Sequence, residues 1–435
     1  MRYKMLALAS ALAATVMLPA HAQTEIQWWH SMDGGLNDWV NDLAKGFNAS
    51  QKEYKVVPTY KGEYDQSLAA GIAAFRAGNA PDILQVYEVG TATMMYSKGV
   101  VKPVGELMKE AKVPFDPKAY IPAVAGYYSA PNGQMMSFPF NSSTTVFYYN
   151  KDAFKAAGLD PEKGPVTWPE VVSAAAKLKA SGNACPFTTS WMSWAQLESF
   201  STWHNVSYAT RNNGFGGLDA RLEFNSPLHV RHFENLANMS KQGLFAYRGR
   251  ASKATSSFTS GECAMFIGSS GSYAAIKKDA KFQFAESALP YYPDVPGAPQ
   301  NTIIGGASLW VMSGKTADHY KGVAEFFRYL SDPKIQSESH MRTGYLPVTM
   351  AAYELTEQSG FYKKNPGTDV AVNQMIRKTT DKSRGVRLGN MPQIRAIEDE
   401  ETEQIWAGKK SAKQALDDAV RRGNELLVKF QAANK

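Results

Sequence analysis

The chain has 435 residues, of which 44% are hydrophobic and 20% charged, and it carries a formal net charge of +7. A chain of this length exceeds what one hydrophobic core usually organises, so we expect two lobes. The lysines and arginines are spread along the chain without a basic cluster, which argues against a nucleic-acid-binding protein. A modest positive charge favours a small anionic ligand.

Residues 1–22 have the charge order that is typical of a secretory signal peptide. Arg2 and Lys4 precede an uncharged, mostly apolar run that ends in small residues at Ala20 and Ala22. The run is too short to anchor a protein in a bilayer. We therefore expect cleavage after Ala22 and a mature chain in the periplasm; the alternative is a buried N-terminal helix.

The next segment alternates strand and helix patterns. Residues 24–30 and 54–60 have strand-like compositions, and 82–87 is a short apolar run typical of a strand in a covered parallel sheet. Between them, apolar residues recur at helical spacing within 36–47 and 68–75. This order predicts βαβ units in an open α/β sheet.

The α/β pattern continues through the rest of the chain, with a larger share of helix. Strands are expected at 144–149, 263–267 and 308–312, and helices at 152–157 and 168–180. A last helix is expected to begin at Ser411, because its hydroxyl and Gln414 form a capping-box pattern.

The cysteines and histidines show no spacing typical of a metal site. Cys185 and Cys263 are compatible with one disulfide in an oxidising compartment, or with two buried thiols too far apart to bridge. His229 and His232 lie three residues apart on an expected helix. We interpret them as part of a solvated helix face, because no third ligand lies at a useful spacing. No metal or cofactor is expected.

Catalytic motifs are incomplete. Residues 314–316 (GKT) end like a phosphate-binding P-loop, but Leu309 stands where that loop requires its first glycine. Residues 268–272 lack the spacing of a nucleophile turn. The carboxylates at 399–401 are expected at an exposed helix start. The pattern favours binding over catalysis.

Four segments resemble the extracellular solute-binding proteins of ABC importers. The segments are 80–83 (APDI), 149–152 (YNKD), 258–265 (FTSGECAM) and 344–348 (GYLPV). Six further segments resemble the sn-glycerol 3-phosphate receptors of that family: 29–32 (WHSM), 58–62 (PTYKG), 84–95 (LQVYEVGTATMM), 139–144 (PFNSST), 304–310 (IGGASLW) and 387–395 (RLGNMPQIR). The second resemblance covers nearly the whole mature chain.

This resemblance implies an α/β fold of two lobes joined by crossing strands, with the ligand in the cleft between them. Lobe 1 would comprise residues 23–138 and 301–345, and lobe 2 would comprise 139–300 and 346–435. The implied function is a monomeric, non-enzymatic receptor that captures sn-glycerol 3-phosphate. Glycerophosphodiesters such as glycerophosphocholine are further candidate ligands. The partner would be an ABC permease of two transmembrane subunits plus ATPases.

Carried over position by position, the resemblance implies seven ligand contacts, with Trp191 as a further candidate for the cleft wall. The seven are Tyr64, Glu88, Ser143, Ser269, Gly306, Tyr345 and Arg395. Arg395 is suited to a bidentate pair with phosphate, and Glu88 to accepting hydrogen bonds from glycerol hydroxyls. The flexible segment 268–272 could offer backbone N–H groups to an anion. The alternatives are a surface ion pair for Arg395 and a core position for Tyr345.

Two other functions remain open on the sequence. Aromatic residues make up 12% of the chain, which would suit an oligosaccharide receptor of the same fold, because aromatic rings stack on sugar faces. A secreted phosphodiesterase would cleave the same phosphate esters that a receptor only binds.

Overall fold

The computed structural model describes residues 23–434, which contain ten strands in two sheets. The predicted signal peptide lies outside the described residues. The strands are β1 (Thr24–His30), β2 (Tyr54–Tyr60), β3 (Ile83–Tyr87), β4 (Val101–Lys102), β5 (Phe138–Ser143), β6 (Thr145–Asn150), β7 (Cys185–Thr189), β8 (Cys263–Ser269), β9 (Phe284–Ser287) and β10 (Gly305–Met312).

Helices surround both sheets. In the described part of the chain they are α1 (Gly34–Ser50), α2 (Tyr64–Arg76), α3 (Thr91–Tyr96), α4 (Val104–Glu110), α5 (Pro122–Tyr127), α6 (Lys151–Ala156), α7 (Trp168–Ala180), α8 (Ser199–Trp203), α9 (Thr210–Asn213), α10 (Pro227–Lys241), α11 (Ala254–Thr259), α12 (Tyr273–Asp279), α13 (Ala317–Leu330), α14 (Pro333–Thr343), α15 (Met350–Gln358), α16 (Phe361–Lys364), α17 (Val370–Met375), α18 (Met391–Trp406) and α19 (Ala412–Ala433). Between residues 23 and 434, none of them combines the length and the apolar character that crossing a membrane requires.

The first sheet confirms the predicted βαβ units. β1 pairs in parallel with β2 and with β3, and α1 and α2 make the connections. α1 turns the predicted apolar face, including Trp39, Leu43 and Phe47, into the core. The sheet is not purely parallel, however, because β10 lies antiparallel to β3, β4 and β5.

The second sheet has the order β7-β8-β6-β9. β7 and β8 are parallel, whereas β6 is antiparallel to β8 and β9. Cys185 and Cys263 occupy the first positions of β7 and β8, directly opposite each other, and they form a disulfide with Cα atoms 4.4 Å apart. The structure therefore favours the disulfide over the two separate thiols that the sequence left open.

The chain passes between the sheets at Thr144. β5 ends one residue before it in the first sheet, and β6 begins one residue after it in the second. The fully buried Thr144 hydroxyl donates a hydrogen bond to the Ile303 carbonyl, 2.8 Å away, near the start of β10. β5, which the predicted lobe boundary at 138/139 assigns to lobe 2, pairs with β10 of the first sheet. The boundary at 138/139 stays a prediction. The boundaries at 300/301 and 345/346 stay predictions.

Two expectations about polar residues are wrong. His229 and His232 do not lie on a solvated face but are fully buried, because Ser201, Ser226 and Gln196 supply hydrogen-bond partners. The carboxylates at 399–401 do not lie at an exposed helix start. They lie in the middle of α18, and Glu401 is buried beside Lys410 and Arg422.

The predicted start of the last helix is confirmed. Ser411 is the N-cap of α19, and its hydroxyl accepts a hydrogen bond from the Gln414 backbone N–H while the Gln414 side chain accepts one from the Ser411 backbone. α19 packs along α18. This pair of helices supports the side of the molecule from which Arg395 extends.

Candidate functional site

A cavity of about 440 Å³, here called the cleft, lies between the two sheets and is lined by residues from both. Five strands lead into it: Ser31 follows β1, Glu88 follows β3, Ser143 ends β5, Trp191 follows β7 and Ser269 ends β8. Open α/β sheets bind ligands outside the carboxyl ends of their strands. The cleft is therefore the candidate binding site.

All eight residues that the sequence singled out line this one cleft. They are Tyr64, Glu88, Ser143, Trp191, Ser269, Gly306, Tyr345 and Arg395. They come from widely separated parts of the chain, so only the fold brings them together. Their contact with a ligand stays a prediction.

One part of the cleft lining, here called the charged wall, consists of Glu88 and Arg395 together with Glu198, which pairs with Arg395 but does not itself line the cleft. Glu198 holds the Arg395 guanidinium with both oxygens, at 2.6 Å to Nε and 2.9 Å to Nη2. Nη2 also lies 2.6 Å from Glu88 Oε1. The three side chains are buried, with 2% to 11% of their surface exposed. The guanidinium thus joins Glu88 of the first sheet to Glu198 beyond β7 of the second.

Burial and pairing set the protonation of this wall. Burial alone would lower the pKa of Arg395, but the carboxylates of Glu198 and Glu88 outweigh it and raise that pKa well above its usual value. Burial raises the pKa of Glu88, although Arg395 partly offsets that shift. The guanidinium is permanently charged, and the wall has more carboxylates than cations.

This pairing changes the interpretation of Arg395. The residue is not the surface ion pair considered as an alternative, because it is buried and lines the cleft. The bidentate fork that was expected to hold phosphate is already occupied by Glu198. A dianion placed against this wall would meet the Glu88 carboxylate and a guanidinium whose charge Glu88 and Glu198 already balance, which is unfavourable at short range.

A second part of the cleft lining, here called the hydroxyl wall, consists of Ser143, Ser269 and Gly306 at the chain crossing. Thr144 connects them, because its carbonyl accepts a hydrogen bond from the Ser270 N–H at 2.8 Å. The Ser269 hydroxyl accepts one from the Gly271 N–H at 3.1 Å, which caps the turn that leads into α12. The Ser143 and Ser269 hydroxyls can donate hydrogen bonds to an anion.

Gly306 is a glycine for two reasons. Its φ is +80°, in the left-handed region that disfavours a side chain. A Cβ atom there would also lie 1.8 Å from the Asn141 carbonyl oxygen of β5. Close approach of β5 and β10 therefore requires this residue independently of any ligand.

Tyr64 and Tyr345 close the first-sheet side of the cleft. The Tyr64 hydroxyl accepts a hydrogen bond from the Asn141 amide at 3.0 Å, and its ring stacks on Tyr87 with centroids 5.0 Å apart. Burial raises the pKa of Tyr345 to about 12 and that of Tyr64 well above its usual value. Both hydroxyls are therefore protonated donors at neutral pH.

Trp191 stands in a strained conformation at the second-sheet side. Its φ is +52°, which is uncommon for a residue with a large side chain, and its N–H donates to the Ala251 carbonyl at 2.9 Å. A π-helical segment (Ser193–Glu198) follows it and carries both Trp194, which also lines the cleft, and Glu198.

Sequence reasoning missed Glu198 and Trp194. Glu198 is a lone carboxylate inside an apolar and aromatic run, which is a signal of a buried charge that needs a partner. The sequence could not identify Arg395 as that partner, because the two residues are almost two hundred positions apart. Trp194 gave no signal that distinguishes it from a core aromatic.

Comparison with known proteins identifies a matching family and relatives that are similar over nearly the whole chain. Residues 42–369 match the model of a family described as bacterial extracellular solute-binding proteins. The sn-glycerol-3-phosphate-binding periplasmic protein UgpB of Yersinia pseudotuberculosis is 56% identical over 427 residues, covering 98% of this chain and 97% of that protein. The protein of the same name from an Escherichia coli O6:K15:H31 strain is 55% identical over 431 residues, covering 98% of each chain.

Two solved structures share the fold. UgpB of Mycobacterium tuberculosis, in complex with glycerophosphocholine, has a TM-score of 0.80 at 22% identity, covering 94% of this chain and 100% of that one. The cyclic alpha-maltosyl-1,6-maltose binding protein of Arthrobacter globiformis has a TM-score of 0.74 at 21% identity, covering 93% and 99%. The same architecture therefore serves a phosphodiester and an oligosaccharide, and it does not by itself choose the ligand.

Proposed function

This chain belongs to the family of bacterial extracellular solute-binding proteins, and from that premise we propose that it is the periplasmic receptor of an ABC importer that captures sn-glycerol 3-phosphate. Glycerophosphodiesters such as glycerophosphocholine are proposed as further ligands. The observation that carries the proposal is the convergence of the eight predicted residues in one cleft between the two sheets. The relatives that are 55% to 56% identical over nearly the whole chain bear this same ligand in their names.

The charge distribution of the cleft suggests how the ligand is oriented. We place the phosphate against the hydroxyl wall, where Ser143, Ser269 and backbone N–H groups can donate hydrogen bonds to it. The glycerol hydroxyls then face the charged wall. There the glycerol hydroxyls can donate hydrogen bonds to Glu88 and accept them from the Arg395 nitrogens. The carboxylate and the guanidinium therefore both remain hydrogen-bonded when the ligand is present. Arg395 thus contributes to hydroxyl recognition and fixes Glu88, rather than forming the bidentate pair with phosphate.

Binding is proposed to close the two lobes. A ligand that touches Glu88 after β3 and Ser269 after β8 stabilises the state in which both are close, which is a population shift. The closed form would dock as a monomer on a permease of two transmembrane subunits, with ATPases on the cytoplasmic side. We also propose that residues 1–22 are removed after Ala22, which releases the receptor into the periplasm.

The test is calorimetry on the mature chain with sn-glycerol 3-phosphate, glycerophosphocholine and maltose. We expect saturable heat with the phosphate esters and none with maltose. A micromolar dissociation constant would correspond to about 8 kcal/mol, within reach of several hydrogen bonds to a buried ligand. Clear heat with maltose and none with either phosphate ester would contradict the proposal.

An oligosaccharide receptor is the second candidate function. Trp191, Trp194, Tyr64 and Tyr345 all line the cleft, and such rings can stack on sugar faces. The calorimetric comparison decides between the two ligand classes. The phosphodiesterase alternative is tested by phosphorus NMR: a receptor returns glycerophosphocholine unchanged, whereas an enzyme would produce a phosphate monoester and choline.

A further inference from the structure

A second cavity, here called the rear cavity, has a volume of about 280 Å³ and shares no lining residue with the cleft. Its walls come from α3 in the first part of the chain and from segments near the C-terminus. Met95 and Tyr96 of α3 lie on one side, and Leu388 with Leu427 and Phe430 of α19 lie on the other. The volume is at the lower end of the range for ligand pockets, about 300–1,000 Å³. The rear cavity therefore suits a small ligand.

Arg387 is the only charged residue among those that line the rear cavity in the described part of the chain. Its Nη1 donates to the carbonyls of Tyr127 and Ser129, at 3.0 and 2.7 Å. It forms no ion pair with any residue between 23 and 434. Burial lowers the pKa of Arg387, and the nearby charge of Arg384 adds to that effect.

The contrast with Arg395, eight positions along the chain, is informative. Arg387 is partly buried, whereas the Arg395 side chain is only 11% exposed and two carboxylates balance its charge. Burying a charge without a counter-ion is unfavourable. Among residues 23–434, the Arg387 guanidinium contacts neutral carbonyls and the Phe215 ring, whose centroid lies 4.4 Å from its guanidinium carbon. Its charge is therefore available to an anion that enters the rear cavity.

We propose that the rear cavity binds a small amphipathic anion, with its acidic group at Arg387 and its alkyl chain among Met95, Leu388 and Phe430. The apolar walls disfavour sn-glycerol 3-phosphate itself, because its hydroxyls would be buried there without partners. A single acidic head on a short alkyl chain satisfies both the uncompensated guanidinium and the apolar walls. Arg387 begins the RLGNMPQIR segment that ends at Arg395, but it lines the rear cavity and not the cleft.

The test uses octanoate as the probe and octanamide as its uncharged counterpart. Mature protein is titrated with each, in the presence and in the absence of saturating sn-glycerol 3-phosphate. We expect saturable octanoate binding that sn-glycerol 3-phosphate does not displace. Octanamide should bind at least about tenfold more weakly, because it cannot form the charge-assisted hydrogen bond.

Three variants locate the binding. Arg387→Gln should weaken octanoate binding at least about tenfold. Arg384→Gln is the matched control, because Arg384 stacks on the same Phe215 ring but does not line the rear cavity, and it should weaken octanoate binding much less than Arg387→Gln. Ala130→Leu fills part of the cavity without altering Arg387, so it should also weaken binding and keeps the test decisive if Arg387→Gln fails to fold.

Several outcomes would overturn the proposal. Displacement of octanoate by sn-glycerol 3-phosphate would place the probe in the cleft instead. Equal affinity for octanamide would remove the role of Arg387. Absence of saturable octanoate binding, or no effect of Ala130→Leu, would show that the rear cavity does not bind this class of ligand. The binding of sn-glycerol 3-phosphate, measured separately, tests the proposed function independently.

Discussion

The charged wall and the hydroxyl wall face the same cleft but are built from different interactions. Glu88, Glu198 and Arg395 are held by buried ion pairs that connect three distant segments. Ser143, Ser269 and Gly306 are held by backbone pairing at the chain crossing. The charged wall therefore depends on pH and on each of its partners, whereas the hydroxyl wall depends on backbone conformation.

Removing the central cation should have the largest effect. Arg395→Ala leaves Glu88 and Glu198 buried without a partner, and we expect a loss of about 3–5 kcal/mol in the free energy of unfolding. The loss should be smaller in acid, because burial already raises the pKa of Glu88 and protonation removes the unpaired charge. Urea denaturation at pH 8 and pH 5 measures both effects.

Lys413→Ala is the matched control for Arg395→Ala. Lys413 pairs with Asp417 four positions later on the exposed face of α19. Such pairs contribute about 0.3–0.5 kcal/mol. A loss of stability from Arg395→Ala no larger than that of Lys413→Ala would contradict the importance of burial in the charged wall.

Asp399, which lies one turn after Arg395 on α18, should make the free energy of unfolding depend on pH. Burial raises the pKa of Asp399 to about 6, and its carboxylate accepts a hydrogen bond from the Ser193 hydroxyl at 2.8 Å. The pKa of Asp399 in the folded protein lies above the usual value of 3.8 for an aspartate. Between these two pH values, the folded protein therefore holds a proton that the unfolded chain has released. The ionised group thus opposes folding at pH 7, and this opposition fades as the pH falls through 6.

We expect Asp399→Asn to be more stable than the parent protein at pH 7 to 8, by up to about 3 kcal/mol, with the difference shrinking below pH 6. The variant is compared with the parent protein at each pH. This comparison cancels the contribution of the buried histidines to the pH dependence of stability, because both proteins contain them. Asp219 provides a control of opposite sign, because Arg211 lowers its pKa. A stability difference that does not change with pH would contradict the assignment to Asp399.

Gly306→Ala tests the hydroxyl wall through its backbone. The new Cβ atom would meet the Asn141 carbonyl, so we expect a loss of about 2 kcal/mol or more and weaker ligand binding. Gly314→Ala is the control, because Gly314 has a similar φ of +84° but nothing within 4 Å of its Cβ position. Equal losses of unfolding free energy for the two variants would show that close packing at Gly306 is unimportant.

Ser269→Ala should have the smallest effect on stability and a selective one on binding. It removes the cap on the Gly271 N–H, for which we expect a loss of about 1 kcal/mol. Affinity for sn-glycerol 3-phosphate should fall about tenfold, because a hydrogen bond to a charged group contributes about 1.5–3 kcal/mol. Ser411→Ala removes a comparable N-cap far from the cleft, so it should lower stability equally and leave affinity unchanged.

The sequence predicted local structure well because local structure depends on neighbouring residues. The helical spacing in α1 and the capping box at Ser411 both appear as expected. The positions of the cleft residues followed from the family resemblance, not from periodicity. The partner of Arg395 could not be predicted, because Glu198 reaches it only through the π-helical segment. The burial of His229 could not be predicted either, because its hydrogen-bond partner Ser201 lies on another helix.

The disulfide has a consequence at the far end of the strands it joins. Cys185 and Cys263 begin β7 and β8, and the opposite ends of these strands deliver Trp191 and Ser269 to the cleft. A slip of one residue between neighbouring strands would turn every side chain to the other face of the sheet. The covalent link at one end thus fixes the register on which ligand contacts at the other end depend. Before export, in a reducing cytoplasm, that alignment would rest on hydrogen bonds and packing alone.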